Sequence, residues 1–323
     1  MELIRGLHNL APRHRGCVAT IGNFDGVHLG HQAVIGQLAE KAQALGLPTL
    51  VMLFEPQPEE FFRPGKAPPR LTRFREKWLA LRRYSLDRVL CVRFNAPFAN
   101  MEPETFVRRV LVQGLDVRYL VVGDDFRFGK NRRGDFAFLQ KAGEQQGFHV
   151  VNMHTVTIDG HRVSSTRIRR ALASGDLTTA EKLLGRPYRM SGRVAHGNKL
   201  GQRLGMPTAN IHLHRKLTPI SGVYVVEVFG LEEEPLAGVA NVGTRPTVNE
   251  TRTLLEIHLF DFNERIYGRY LNVNFLHKLR DEEKFDSLEA LKQQMHLDAK
   301  NARAFFHDYH PQKRSPDHGK NIA

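Results

Sequence analysis

Gly22-Asn23-Phe24-Asp25-Gly26-Val27-His28-Leu29-Gly30-His31 stands between a short apolar run, Val18 to Ile21, and a stretch whose apolar residues recur with helical spacing. A strand that turns directly into a helix presents unpaired backbone N–H groups at the positive end of the helix dipole. Glycines let a phosphate approach that backbone closely. His28 and His31, spaced i and i+3, point the same way and can donate hydrogen bonds to such a phosphate. The chemistry implied is attack on the α-phosphate of a nucleoside triphosphate. A His-x-x-His pair alone is more often a surface helix pair. It is the ordered set of strand, Gly-Asn, Phe-Asp-Gly, His-Leu-Gly-His and helix that carries the reading. Zinc is not supported, because Cys17 and Cys91 are the only cysteines and form no CxxC pattern.

Outward from this turn, helical and strand patterns alternate. Val34, Ile35, Leu38, Ala39, Ala42 and Leu45 mark one helix face, stopped by Gly46 and Pro48. Apolar runs at Thr49 to Phe54, Val89 to Phe94 and Tyr119 to Val122 read as buried strands, with a helix around Pro103 to Leu111. Strands separated by helices predict a parallel sheet, whose ligands collect beyond the carboxyl ends of the strands. Ser164-Ser165-Thr166 precede Ile168 and Leu172 and can simply cap a helix; alternatively Arg169, one turn in, is a cation for the same polyphosphate. Gly123 to Asn131 superficially resembles a P-loop, but five residues separate its glycines and Asn131 replaces the magnesium-binding hydroxyl, so that reading is rejected. Its Asp125, Phe126 and Phe128 can stack on a flat ring and bond its edge, or the two rings can be core anchors.

After Gly185-Arg186-Pro187 the texture changes to closely spaced strand-like runs: Met190 to Ala195, Gly222 to Phe229, Leu236 to Val242, Thr253 to Phe260 and Leu271 to Phe275. No long helix intervenes before Ser287 to Phe306. This predicts a small antiparallel barrel closed by a helix, with an open sandwich as the alternative. Gly197 to Gly205 is a cationic, glycine-rich loop carrying Lys199 and leading to Thr208 and Asn210, which share a side if the segment is extended. A hydroxyl and an amide there can hold a magnesium–nucleotide complex; a plain hairpin loop is the alternative. Alternation puts Glu256 on one face with Leu254 and His258. If that face lines a pocket, Glu256 is a candidate general base for an alcohol nucleophile; facing outward it is an ordinary solvated glutamate.

The whole chain of 323 residues predicts two domains, 1–185 and 186–309, with a polar, basic and disordered tail over 310–323. Its 41% hydrophobic and 25% charged content is ordinary for a soluble globular protein. The N-terminus lacks a signal-peptide apolar region, no run is long enough to span a membrane, and two unpaired cysteines fit a reducing cytoplasm. A net charge of +13 permits contact with nucleotide phosphates or with nucleic acid, but no basic and aromatic stripe marks an RNA-binding module.

The ordered motifs together resemble the bacterial bifunctional riboflavin kinase/FAD synthetase family across nearly the whole length. Besides the 22–31 turn, they include Phe54-Glu55-Pro56, Arg70-Leu71-Thr72, Asp125-Phe126-Arg127-Phe128-Gly129, Ser164-Ser165-Thr166, Pro207-Thr208-Ala209-Asn210, Asn241-Val242-Gly243 with Arg245-Pro246-Thr247, Tyr267-Gly268, and Leu279-Arg280 with Glu282, Lys284 and Phe285. Val163 and Met206 depart mildly from the pattern. The resemblance implies a Rossmann-like nucleotidyltransferase domain followed by a riboflavin kinase barrel. In the barrel, Glu256 deprotonates riboflavin's terminal ribityl hydroxyl, and Thr208 and Asn210 organise Mg²⁺ and the ATP phosphates. There Gly197, Lys199 and Gly205 cover the nucleotide, and Arg280 lies on a segment that closes over the flavin. In the first domain the FMN phosphate attacks ATP to give FAD. Its implied ATP contacts are Gly22, Asn23, Phe24, Asp25, His28, His31, Ser164, Ser165, Thr166 and Arg169, and its implied flavin contacts are Asp125, Phe126 and Phe128. The partners implied are riboflavin, FMN and ATP, without nucleic acid or membrane. Two other readings stay open on the residues alone: a histidine-motif adenylyltransferase for another small molecule, and a nucleic-acid-binding protein.

Overall fold

The computed structural model describes residues 1–123, 125–153, 155–197, 200–215, 217–246 and 251–309. Lys199 and the tail 310–323 lie outside these. The chain forms two compact units, one of residues 1–68 with 73–164, the other of residues 69–72 with the chain from Ser165 onward.

The first unit is built on six parallel strands, β1 (Glu2–Arg5), β2 (Cys17–Ile21), β3 (Thr49–Glu55), β4 (Arg88–Arg93), β5 (Val117–Val122) and β6 (His149–Asn152), in the order β1-β4-β3-β2-β5-β6. Strand β2 is buried on both faces, which is why its sequence is a continuous apolar run. Cys17, Ala19 and Ile21 join the apolar layer of Leu50, Met52 and Leu120. Val18 joins the opposite layer, with Val34, Ile35 and Leu38 of helix α1 (Leu29–Leu45). Each Leu or Ile so buried contributes roughly 1.5–3 kcal/mol, so this stripe fixes α1 on the sheet. Gly46 ends α1 in the left-handed region, φ 63°, as a glycine stop should. The helix expected near Pro103 is α-helical over Pro103–Phe106 and π-wound over Val107–Gly114. Strands β3 and β4 lie to one side of β2, and β5 and β6 to the other. The topological switch point therefore lies between β2 and β5, where ligands bind in such sheets. A small hairpin, β7 (Thr157–Ile158) with β8 (His161–Arg162), follows the sheet.

The second unit is a closed antiparallel barrel of β9 (Tyr188–Ala195), β10 (Ala209–His212), β11 (Gly222–Phe229), β12 (Leu236–Pro246), β13 (Thr251–Leu259) and β14 (Tyr270–Arg280), in the order β10-β13-β12-β11-β14-β9. Pairing of β9 with β10 closes the ring and excludes the open sandwich. Tyr224, Ala240 and Ile257, cross-strand neighbours at no more than 1% exposure, fill the interior. On the outer side Val223, Val225 and Val239 pack against Ala299, Ala302 and Phe305 of the C-terminal helix Leu288–Asp308. That helix is N-capped by Ser287, whose Oγ accepts from the Ala290 N–H at 3.1 Å.

The units part at Ser164/Ser165, earlier than the boundary expected at 185. Helices Ser165–Ala173 and Leu177–Leu184 pack on each other, and the latter packs on β9 and β14 through a stripe of Leu177, Ala180, Leu183 and Leu184. Residues 69–72 belong here as well. Arg215 donates to the carbonyls of Arg70 and Leu71 at 2.9 and 3.3 Å, and the Tyr188 hydroxyl donates to Leu71 at 3.0 Å.

Candidate active sites

At the carboxyl end of β2 the backbone bends sharply. Phe24 and Val27 both have positive φ, 47° and 43°, and Gly26 has φ 86°. A β-branched residue there is strained, by on the order of 1–3 kcal/mol, and persists because the surroundings hold it. Phe24 and Val27 are buried to 2% and 0% exposure and act as the anchors. His28 is the N-cap of α1: its Nδ1 accepts the His31 backbone N–H at 3.3 Å. An accepting Nδ1 leaves the proton of the neutral ring on Nε2, a donor. The His28 and His31 rings stack, with centroids 3.6 Å apart, and Phe24 supports the His31 ring at 4.8 Å. The Phe24 side chain lies in the core, where it supports the His31 imidazole. Lys77, 1% exposed, donates to the Asn23 carbonyl at 2.5 Å and fixes the turn from within. Sequence reading passed over Lys77. Its only signal is a lysine among the apolar positions of the helix Phe74–Leu81.

Gly30 leaves room for the His28 imidazole, since a Cβ there would lie 3.2 Å from that ring. In the other unit, the helix of the Ser-Ser-Thr motif starts at Ser165, and Arg169 donates Nε to the Pro69 carbonyl at 2.7 Å.

The loop after β5 separates the two aromatic residues expected to meet a flat ring. Phe128 is a core anchor, 8% exposed, against Phe106 at 5.2 Å and Phe138 at 5.8 Å. Phe126 stacks on Phe128 at 5.7 Å, and Asp125 pairs with Arg162 of β8 at 3.2 Å. From Phe106 the ring contacts continue through Phe98 and Phe94 to Phe54, Phe61 and Phe62, the last 62% exposed. This cluster escaped sequence reading because its rings come from separate segments.

On the barrel, register lines up residues that the sequence scatters. Arg280 of β14 pairs with Val223 of β11, Val223 with Asn241 of β12, Asn241 with Glu256 of β13, and Glu256 with Asn210 of β10. Directly paired residues share a face, so this row lies on one face of the barrel wall. A cavity of about 300 Å³ opens over it. Thr208, Asn241, Glu256, His258, Arg280 and Asp298 are among its lining residues, beside apolar Val223, Val239, Leu291 and Met295. Glu256 therefore lines a pocket, the condition under which alternation made it a candidate base. Asn210 is 6% exposed, and Gly197 is its cradle, because any Cβ on residue 197 would overlap the Asn210 amide. The Asn210 Nδ2 donates to the Thr208 carbonyl at 3.3 Å, and His258 Nδ1 lies 2.9 Å from the Pro207 carbonyl.

Arg280 sits differently from a free flavin contact. Its Nη2 donates to Asp298 Oδ2 at 2.8 Å, its Nε to both Asp298 oxygens at 3.0 and 3.1 Å, and Phe285 lies 5.6 Å from its guanidinium carbon. The pair clamps the C-terminal helix to β14 at the cavity edge. Sequence reading missed Asp298 and gave Asn241 and His258, which it named in a motif and on the face of Glu256, no role. Among the described residues no three His, Cys, Asp or Glu side chains are grouped to hold a metal.

Two family models divide the chain between them. The FAD synthetase family matches residues 10–167 and the riboflavin kinase family residues 184–306. The bifunctional riboflavin kinase/FMN adenylyltransferase of Escherichia coli (strain K12) is 53% identical over 95% of this chain and 98% of its own length. The protein of the same name from Pseudomonas fluorescens is 54% identical over 94% of this chain and 97% of its own. Among solved structures, the macrolide-efflux protein of Streptococcus pneumoniae covers 96% of this chain with a TM-score of 0.81 and 28% identity. Among the described residues no helix is long and apolar enough to cross a membrane.

Proposed function

The chain belongs to the family of bifunctional riboflavin kinase/FMN adenylyltransferases, and from that premise we propose which of its residues carry each reaction. The enzyme phosphorylates riboflavin with ATP to FMN and adenylylates FMN with a second ATP to FAD, releasing pyrophosphate. We assign adenylylation to residues 1–185 and phosphorylation to residues 186–309.

In phosphorylation, Glu256 accepts the proton of the terminal ribityl hydroxyl as that oxygen attacks the γ-phosphorus of ATP. A positioned base of this kind contributes about 10²–10⁴-fold. The observation that carries the assignment is the cross-strand row that brings Asn210, Glu256 and Arg280 to one wall, with Glu256 and Arg280 lining the cavity. Arg280, neutralised by Asp298, closes the edge of the flavin site through Phe285 and its own planar fork. The Thr208 hydroxyl and the Asn210 amide, held in the Gly197 cradle, are hard oxygen donors that fit Mg²⁺ shared with phosphate oxygens. Bound there, the ion would neutralise charge on the ATP phosphates. Gly197, Gly205 and Lys199 belong to the loop beside them.

In adenylylation, the FMN phosphate is already an anion near neutral pH and needs no strong base. His28 and His31 donate to the oxygens of the phosphoryl group under attack, and the backbone of Gly22, Asn23 and Asp25 shapes the turn that holds them. Ser164, Ser165, Thr166 and Arg169 hold the nucleotide, while Phe126, with Asp125 beside it and Phe128 behind it, offers the isoalloxazine a stacking face. The charge of +13 then serves to gather ATP and FMN and asks for no nucleic-acid partner. We place the enzyme in the cytoplasm, where ATP is available and its two thiols stay reduced.

The test is a chromatographic time course of the purified protein with riboflavin, ATP and MgCl₂. FMN should appear first and FAD after it. FAD from supplied FMN with none from riboflavin would leave the cavity without its assigned role.

A further inference from the structure

Asn241 is absent from the roles assigned above, yet it occupies the position beside the base. It is the direct cross-strand partner of Glu256, it lines the same cavity, and its Oδ1 is buried with no hydrogen-bond partner among the described residues. A buried amide oxygen left without a donor costs free energy, and natural proteins keep such an atom chiefly where something else supplies the donor. Its cross-strand partner on the other side, Val223, and its chain neighbours Ala240 and Val242 bring no side-chain donor.

We propose that Asn241 is a substrate-positioning residue of the phosphorylation site, one that bonds the ribityl chain. Resting on the reading of the cavity as that site, the chemistry divides between two neighbouring side chains. The hydroxyl that attacks gives its proton to Glu256, so a second acceptor cannot share that proton. A polyol carries another hydroxyl on the adjacent carbon, and Asn241 accepts from that one. With both hydroxyls bonded across one pair of strands, the chain can present only its terminal oxygen to the base. Fixing the nucleophile in this way is worth far more than the hydrogen bond alone would be in water.

The variant that isolates this is Asn241→Leu, close in volume and unable to hydrogen-bond. Its kcat/KM for riboflavin should fall about ten- to hundredfold, the range for one hydrogen bond to an otherwise orphaned group. Adenylylation of supplied FMN should stay within twofold of wild type, and the melting temperature should hold or rise, because an unmet polar atom has been removed. A kinase kcat/KM within threefold of wild type would overturn the proposal. So would a fall of several degrees in melting temperature with loss of both activities, which marks a structural asparagine. Glu256→Gln run alongside separates the two levels. If Glu256→Gln keeps kinase activity, the reading of the cavity fails; if it loses activity while Asn241→Leu keeps it, only the role of Asn241 fails.

Discussion

His28 and His31 do opposite jobs with the same ring. His28 turns Nδ1 inward to cap α1, while His31 rests between His28 and Phe24, and both rings ride on a turn whose strain is held by two buried side chains. Replacing both with alanine removes two donors from the phosphoryl group, together with the side-chain cap that His28 gives α1. Adenylylation of FMN should fall by about 10²–10³-fold, the usual effect of losing such donors. Starting from riboflavin, FMN should then accumulate, which product chromatography reads directly; FAD formed at the normal rate would make the turn purely structural. These imidazoles were legible because the motif is local, ten consecutive residues whose spacing states the geometry. Lys77 was not, since it matters through a partner 54 positions away, and Asn241, though part of a motif, gains its place only from pairing with Glu256 15 positions on. The burial of the Phe24 side chain, too, is seen only in the folded chain.

Elements were legible in proportion to their burial. Strands β2 and β3 are buried on nearly every residue and appear as nearly unbroken apolar runs, and β5 does so only from Leu120 to Val122. The edge strands β1 and β6, with exposed ends and half-buried centres, carry too little apolar pattern to register, and β10 is only four residues long. Closure of the barrel depends on that short strand, which is why the sequence alone left barrel and sandwich open. The helix Leu177–Leu184 reads as part of the first domain by position but joins the barrel by its leucine stripe. Its N-cap gives a pH-dependent prediction. Side-chain and backbone hydrogen bonds from Thr179, the latter at 2.9 Å, hold the Asp176 carboxyl below the usual aspartate range. A depressed folded value means stabilisation that is fully present above the unfolded value of about 3.9 and is lost as pH falls through the folded one. Asp176→Ala should therefore cost about 1 kcal/mol at neutral pH, and its gap to wild type should narrow below roughly pH 4. Paired urea unfolding curves at the two pH values check this; a gap that does not change with pH would mean the carboxylate charge is irrelevant to the cap.

At the scale of the whole molecule, a parallel sheet and an antiparallel barrel supply two kinds of site by two different routes. In the proposed assignment the sheet offers phosphate a helix N-terminus at its topological switch point, with backbone dipoles and imidazoles as donors. The barrel uses a row of cross-strand neighbours on its outer wall, roofed by the C-terminal helix through the Arg280–Asp298 pair. Composition and charge bounded this picture but did not choose within it, since +13 suits any polyanion. What chose was the order of short motifs along nearly the whole chain, each weak alone. The central claim is that the two reactions run on separate residues of one chain, and Glu256→Gln tests it most directly. The purified variant is given ATP and MgCl₂ with riboflavin in one reaction and with FMN in another, and the products are separated by chromatography. FMN formation from riboflavin should drop by about 10²–10⁴-fold, while FMN should be converted to FAD at close to the wild-type rate. Equal loss of both conversions in a folded variant would contradict the assignment of two independent sites.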